Sequence, residues 1–311
     1  MRIIFFGSDD FALRHLETLH DAGYDVIACV TQPDRPKGRG MKVAVSPIKA
    51  FALGHQIPLF QPDKILGNDF RQSLVEFAAD IFIVIAYGKI LPQSILDIPQ
   101  KYAINVHASL LPKYRGAAPI NWVIINGEKE TGVTVMKMNA RMDAGDIIAQ
   151  AGIDIAKNDT AVTLRAKLME NGAILLTETL KKIAQGKEKM VPQNHQAATI
   201  ASKLTKEMGR INWNEPAEKI NSLVRGLLPW PGAYTFYEGK ILKILEAEAL
   251  KEKVAPPGTI AAVDKDGFVV GAGEGSLLVK KVHFEASKPM DAASFCRGHQ
   301  LKTGYRFEKI A

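Results

Sequence analysis

The segment Asn105-Val106-His107-Ala108-Ser109-Leu110-Leu111-Pro112 places an amide and an imidazole two residues apart, and Met142-Asp143-Ala144-Gly145-Asp146 supplies carboxylates further along. An amide N–H can stabilise an oxygen that gains charge during a group transfer, and an imidazole can move a proton near neutral pH. A carboxylate such as Asp143 can orient or charge-stabilise that imidazole. Together they describe the wall of an acyl-transfer site. The competing reading is a hydrogen-bonded turn with a satisfied, half-buried histidine. Polar residues are costly in a buried strand unless satisfied or used, which favours the functional reading.

The apolar pair Ala103-Ile104 leads into Asn105, so Asn105 and His107 fall near the carboxyl end of a strand. The two-residue period then turns both side chains to one face. The following Leu-Leu-Pro-Lys-Tyr-Arg-Gly run cannot continue the strand, and sites in open α/β sheets lie beyond the strands' carboxyl ends. Residues 3–6, 26–31 and 81–86 are continuous β-rich runs, whereas 11–19, 47–53 and 70–77 have helical periodicity. That alternation predicts a parallel sheet with covering helices, an α/β fold. A helix over 119–126 follows, then strands over 132–138 and 147–155. A long helix over 161–185, capped by Asp159 or Thr160, closes a first domain of residues 1–186. Residues 187–203 are polar and without period and read as a linker. The remainder, 204–311, has a helix at 217–227 and then short strands separated by turn signals, which predicts a small β-barrel.

The chain has 311 residues, 47% hydrophobic and 23% charged, as expected of an ordinary globular protein of two domains. Its +7 net charge is compatible with a polyanionic partner without requiring one. Cys29 and Cys296 are too few and too far apart for a disulfide framework or a Cys-rich metal site, which favours a reducing cytoplasm. The amino terminus turns polar at Gly7, and no apolar run reaches membrane-spanning length. A protein neither exported nor membrane-spanning is expected, with a monomer as the default.

Three further segments carry charge or turn signals. Phe6-Gly7-Ser8-Asp9-Asp10-Phe11 is a strand, a glycine and a helix start, but it lacks the Gly-x-Gly-x-x-Gly fingerprint and puts two acids where a pyrophosphate would sit. Its aspartates read as helix N-caps. The Pro/Gly-rich run from Gln32 to Lys42 carries Arg35, Lys37, Arg39 and Lys42. It is either a solvated loop or a basic arm for nucleic-acid phosphates on the rim that holds Asn105 and His107. Lys280, Lys281, Lys288, Arg297, Lys302, Arg306 and Lys309 outnumber the acids near the carboxyl end, and a solvated face is the favoured reading there.

Asn105-x-His107, the run from Ser109 through Pro112-Lys113-Tyr114-Arg115-Gly116-Ala117-Ala118 to Pro119, and Asp143-Ala144-Gly145-Asp146 resemble the signature of the formyltransferases that use 10-formyltetrahydrofolate. The opening turn, the basic loop and Leu228-Pro229-Trp230-Pro231-Gly232-Ala233 extend the resemblance over nearly the whole chain, although Gly-Ser-Asp-Asp-Phe departs from the commoner Gly-Thr-Pro-Glu-Phe. The resemblance implies a Rossmann-like catalytic domain and an OB-like carboxyl-terminal domain that binds tRNA. It implies 10-formyltetrahydrofolate as formyl donor, methionyl-initiator tRNA as acceptor, and no metal. Asn105, His107 and Asp143 would then be catalytic, with Ser109, Leu110, Leu111, Pro112, Ile85 and Gly88 at the folate and Arg35, Lys37, Arg39 and Lys42 at the tRNA. Within that family an amino-sugar nucleotide as acceptor, or hydrolysis of the folate, is the alternative.

Overall fold

The computed structural model describes residues 1–37 and 42–307, and the chain divides into two units. The first comprises Met1–Gly116, Glu130–Ile153 and Arg165–Ala201; the second comprises Ala117–Lys129, Asp154–Leu164 and the chain from Ser202 onward.

A seven-stranded sheet forms the first unit. In spatial order its strands are Ile147–Asp154, Glu130–Lys137, Tyr102–His107, Ile81–Ile85, Arg2–Gly7, Asp25–Val30 and Leu59–Phe60. The last five are joined by parallel pairings. Ile3, Ile4, Phe5 and Phe6 have no exposed surface, because a strand covered on both faces takes apolar residues at every position. Tyr102–His107, by contrast, pairs antiparallel with Glu130–Lys137, with His107 opposite Thr134. The sheet is therefore mixed where a parallel one was expected. The pairing goes with a contact between distant positions: the Thr134 hydroxyl bonds the turn that follows His107, and the chain re-enters the sheet at the end where it left.

Asp9 caps the helix Asp10–Asp21 by accepting the Ala12 N–H at 3.0 Å. Arg165 then bonds Asp9 at 2.7 Å and Asp10 at 2.8 Å, so both acids of the opening turn are neutralised. The two ends of the basic run from Arg35 to Lys42, expected as an irregular loop, are short strands, with Arg35–Lys37 paired antiparallel to Lys42–Ala44. Arg39 lies outside the described residues.

One buried group sets an acid limit on the first unit. His15 is fully buried, its Nδ1 lies 2.7 Å from the Phe11 carbonyl, and its Nε2 has no partner among the described residues. Desolvation lowers its pKa from 6.5 to about 4, against the bond to Phe11, which favours the charged form. The folded state thus resists a proton that the unfolded chain accepts below 6.5. The associated stability is complete above pH 6.5 and is lost as the pH falls to 4, by about 3 kcal/mol. Denaturant midpoints between pH 7 and 4 should fall less in His15→Met than in the parent chain.

The second unit carries an antiparallel sheet in the order Ala233–Tyr237, Lys240–Leu250, Ser276–Phe284, Phe268–Gly271 and Ile260–Val263, with Met290–Asp291 also on Ser276–Phe284. Its core gathers Leu242, Ile244, Phe268, Leu277, Val279 and Phe295 with Ile220 and Val224 of the helix Ala217–Gly226. That helix ends against the helix Pro119–Ile125, where Asn121 Nδ2 donates to the Gly226 carbonyl at 2.7 Å. A Cβ at Gly226 would come 2.6 Å from Ile125 Cγ1, so only glycine permits this approach. Burial pushes the thiols of Cys29 and Cys296 up to about 12 and about 11, which keeps both protonated. Among the described residues no helix is long and apolar enough to cross a membrane.

Candidate active site

Tyr102–His107 ends with Asn105 half-buried and His107 buried. Both side chains turn to the Asp143 carboxylate, as the two-residue period requires. Asn105 Nδ2 donates to Asp143 Oδ1 at 3.5 Å, His107 Nδ1 lies 3.7 Å from Oδ2, and the Gly116 N–H donates to Oδ2 at 2.8 Å. The site is therefore assembled within the first unit.

The tautomer of His107 follows from its other nitrogen. Nε2 lies 2.8 Å from the Tyr114 carbonyl, which can only accept, so Nε2 carries the proton. In the neutral ring Nδ1 is then a lone pair beside a carboxylate. Nδ1 is therefore the ring's available acceptor, 3.7 Å from the Asp143 carboxylate.

Two left-handed residues shape the wall. Tyr114 has φ +60° and Asp143 has φ +50°, conformations that cost a non-glycine residue about 1 kcal/mol or more and must be held by their surroundings. Tyr114 N donates to Thr199 Oγ1 at 2.8 Å and Arg115 N to the Thr199 carbonyl at 2.9 Å. Arg115–Gly116 then pairs in parallel with Ile200–Ala201. The stretch read as a linker, 187–203, thus packs on the segment that carries the site.

Ser109-Leu110-Leu111-Pro112 forms a turn around one hydroxyl. Thr134 Oγ1 donates to the Ser109 carbonyl at 2.6 Å and accepts from Leu111 N at 3.1 Å. Gln150 Nε2 bridges Thr134 Oγ1 and the Leu111 carbonyl, each at 2.9 Å. Ser109 and Leu111 are buried, so Leu110 and Pro112 are the half-buried members that face outward. Ile83–Val84 lies in register with Ile104–Asn105 on the neighbouring parallel strand. Ile85, which follows, is fully buried, while Ala86 and Gly88 are exposed in left-handed conformations. Arg35, Lys37 and Lys42 sit on the two short paired strands described above.

Thr134, Gln150, Gln193 and Thr199 are not singled out in the sequence. Thr134 offered a signal, a hydroxyl amid the apolar run Val133-Thr134-Val135-Met136. The others offered none.

The fold and site define a class. The formyl transferase family model matches residues 1–180 and the formyl transferase C-terminal domain model matches residues 203–300. The methionyl-tRNA formyltransferase of Caldanaerobacter subterraneus is 48% identical over 98% of this chain and 99% of its own, and that of Acetivibrio thermocellus 47% over 98% of each. The chain belongs to the methionyl-tRNA formyltransferase family. At the level of the fold alone, it is similar to the N-formyltransferase of Helicobacter canadensis, solved with folinic acid and dTDP-3-aminofucose. The TM-score is 0.68 at 19% identity, over 90% of this chain and 99% of that one.

Proposed function

We propose that the protein transfers the formyl group of 10-formyltetrahydrofolate to the free α-amino group of methionine esterified to initiator tRNA. The observation that carries this reading is the convergence of Asn105, His107 and Gly116 N–H on the single carboxylate of Asp143 in a chain of this family. The amine nitrogen attacks the formyl carbon, a C–N bond forms, and the carbonyl π pair moves to oxygen in a tetrahedral intermediate. Asn105 Nδ2 is the donor for that oxygen; its 3.5 Å bond to Asp143 is long enough to be exchanged for a better one. His107 Nδ1 takes the proton the amine loses, Asp143 stabilises the imidazolium, and the proton passes through water to N10 of the folate as the C–N10 bond breaks. No covalent enzyme intermediate is needed, and much of the acceleration comes from proximity.

Leu110 and Pro112, with exposed Ala86 and Gly88 beside them, offer a rim of a kind that suits a flat ring system. Ser109 and Leu111 shape that rim from within, as does Ile85, which has no exposed surface. No folate contact needs a metal in this scheme. Residues 1–186 are assigned to catalysis, 187–203 to the join and 204–311 to tRNA through an OB-like barrel, in a monomer acting in the cytoplasm.

The direct test incubates the purified protein with 10-formyltetrahydrofolate and either methionyl-tRNA or amino-sugar nucleotides, and identifies the formylated product. N-formylmethionyl-tRNA is expected; formylation of the sugar alone would replace the acceptor. Neutralising Arg35, Lys37, Arg39 and Lys42 should raise KM for methionyl-tRNA and flatten its salt dependence while folate affinity stays unchanged. Unchanged salt dependence would leave these cations without a role in tRNA binding.

A further inference from the structure

Asp143 has a left-handed backbone, and the side chain that bonds its carbonyl comes from far along the chain. Gln193 is buried. Its Nε2 donates to the Asp143 carbonyl at 3.0 Å and to the Gly145 carbonyl at 2.7 Å. Its Oε1 accepts from Arg115 Nε at 3.1 Å and Nη2 at 2.6 Å. Two N–H donors and two acceptor sites are all that a carboxamide has, so the group is fully satisfied.

The amide cannot turn over. Rotating it by half a turn would set Oε1 against two carbonyl oxygens and the NH2 group against a guanidinium that has only donors. Arg115 is itself aimed by His195, whose Nδ1 lies 2.9 Å from Nη2. Around this amide the backbone adds further ties, for Ile147 and Val191 exchange both N–H to carbonyl bonds at 2.9 Å. Residues 191–201 therefore bridge the two segments that carry the site, the one after His107 and the one around Asp143.

We infer that Gln193 is a positioning residue: its amide, oriented by Arg115, fixes the left-handed backbone of Asp143 and so aims that carboxylate at His107 and Asn105. The inference rests on the reading of Asn105, His107 and Asp143 as the reacting centre. Without the two donated bonds the turn around residues 143–145 relaxes, and the carboxylate withdraws from Nδ1. The turn of residues 109–112 is untouched, because Thr134 and Gln150 hold it independently.

Gln193→Glu separates positioning from packing. It keeps the volume and both acceptors for Arg115 but replaces the two donors with an oxygen that faces two carbonyls. We expect kcat to fall about thirtyfold, the scale of a sub-ångström to ångström misplacement, with KM for 10-formyltetrahydrofolate within about threefold of the parent. In an Asp143→Asn background the same substitution should cost less than about threefold, because a residue that acts through Asp143 has little left to act on. Should Gln193→Glu fail to fold, Gln193→Asn, one methylene too short to span Arg115 and both carbonyls, is read by the same criteria. A kcat within threefold of the parent, or an equal loss in the two backgrounds, overturns the inference. A parent protein that transfers no formyl group overturns the underlying functional reading instead, and the two failures are told apart by that control.

Discussion

His107→Ala should lower kcat for formyl transfer by about a hundredfold or more, and Asn105→Ala by about a hundred- to a thousandfold, the scale seen on losing a single oxyanion donor. The His107 effect follows from the tautomer: with Nε2–H committed to the Tyr114 carbonyl, Nδ1 is the ring's free base, and it lies beside Asp143. Removing the ring removes the proton acceptor and leaves the carboxylate without a cation to stabilise. The fold should survive, since removing one partner of the buried Nε2 bond costs about 1–3 kcal/mol. Asn105→Asp is the sharper variant. It keeps the shape but exchanges the donor for a second negative charge next to Asp143, and it should be at least as slow as Asn105→Ala. Single-turnover rates on folded protein check both; rates within fivefold of the parent for His107→Ala and Asn105→Ala would remove these residues from the chemistry.

Gly145→Ala should be the most damaging one-methyl change near the site. A Cβ at Gly145 would overlap the carbonyl of Lys137, where the backbones of Lys137 and Asp146 are joined by a 2.9 Å bond. Both partners are main chain, so neither can swing aside as a side chain would. The strands must part, at a cost of about 2–4 kcal/mol. The displacement also moves the Gly145 carbonyl off Gln193 and carries Asp143 with it, so kcat should fall together with the denaturation midpoint. Gly54→Ala is the control: it ends the helix Pro47–Gly54 with nothing within 4 Å of a new Cβ. It should be neutral, or stabilising by about 0.5 kcal/mol. A Gly145→Ala protein as stable as Gly54→Ala would refute the packing argument.

The legible parts of this molecule were those governed by short-range rules. Alternation placed Asn105 and His107 on one face, continuous apolar runs marked the strands covered on both sides, and Asp9 announced a helix cap. The direction of Glu130–Lys137 was not legible, because it depends on a hydroxyl contact between Thr134 and a turn some twenty-five residues away. Gln193 was invisible for a related reason. Its partners lie 48, 50 and 78 positions away, and a polar residue in a polar stretch gives no periodicity to read. The short Arg35–Lys37 strand was hidden by its proline and its charges, which read as loop.

The glycine contact between the helices Ala217–Gly226 and Pro119–Ile125 bears on how this chain could be recombined. A crossover placed anywhere between residues 130 and 216 would inherit Asn121 from one parent and Gly226 from the other, across an approach that admits no side chain. Exchange of the carboxyl-terminal portion should therefore keep stability only between parents that share a glycine at this crossing.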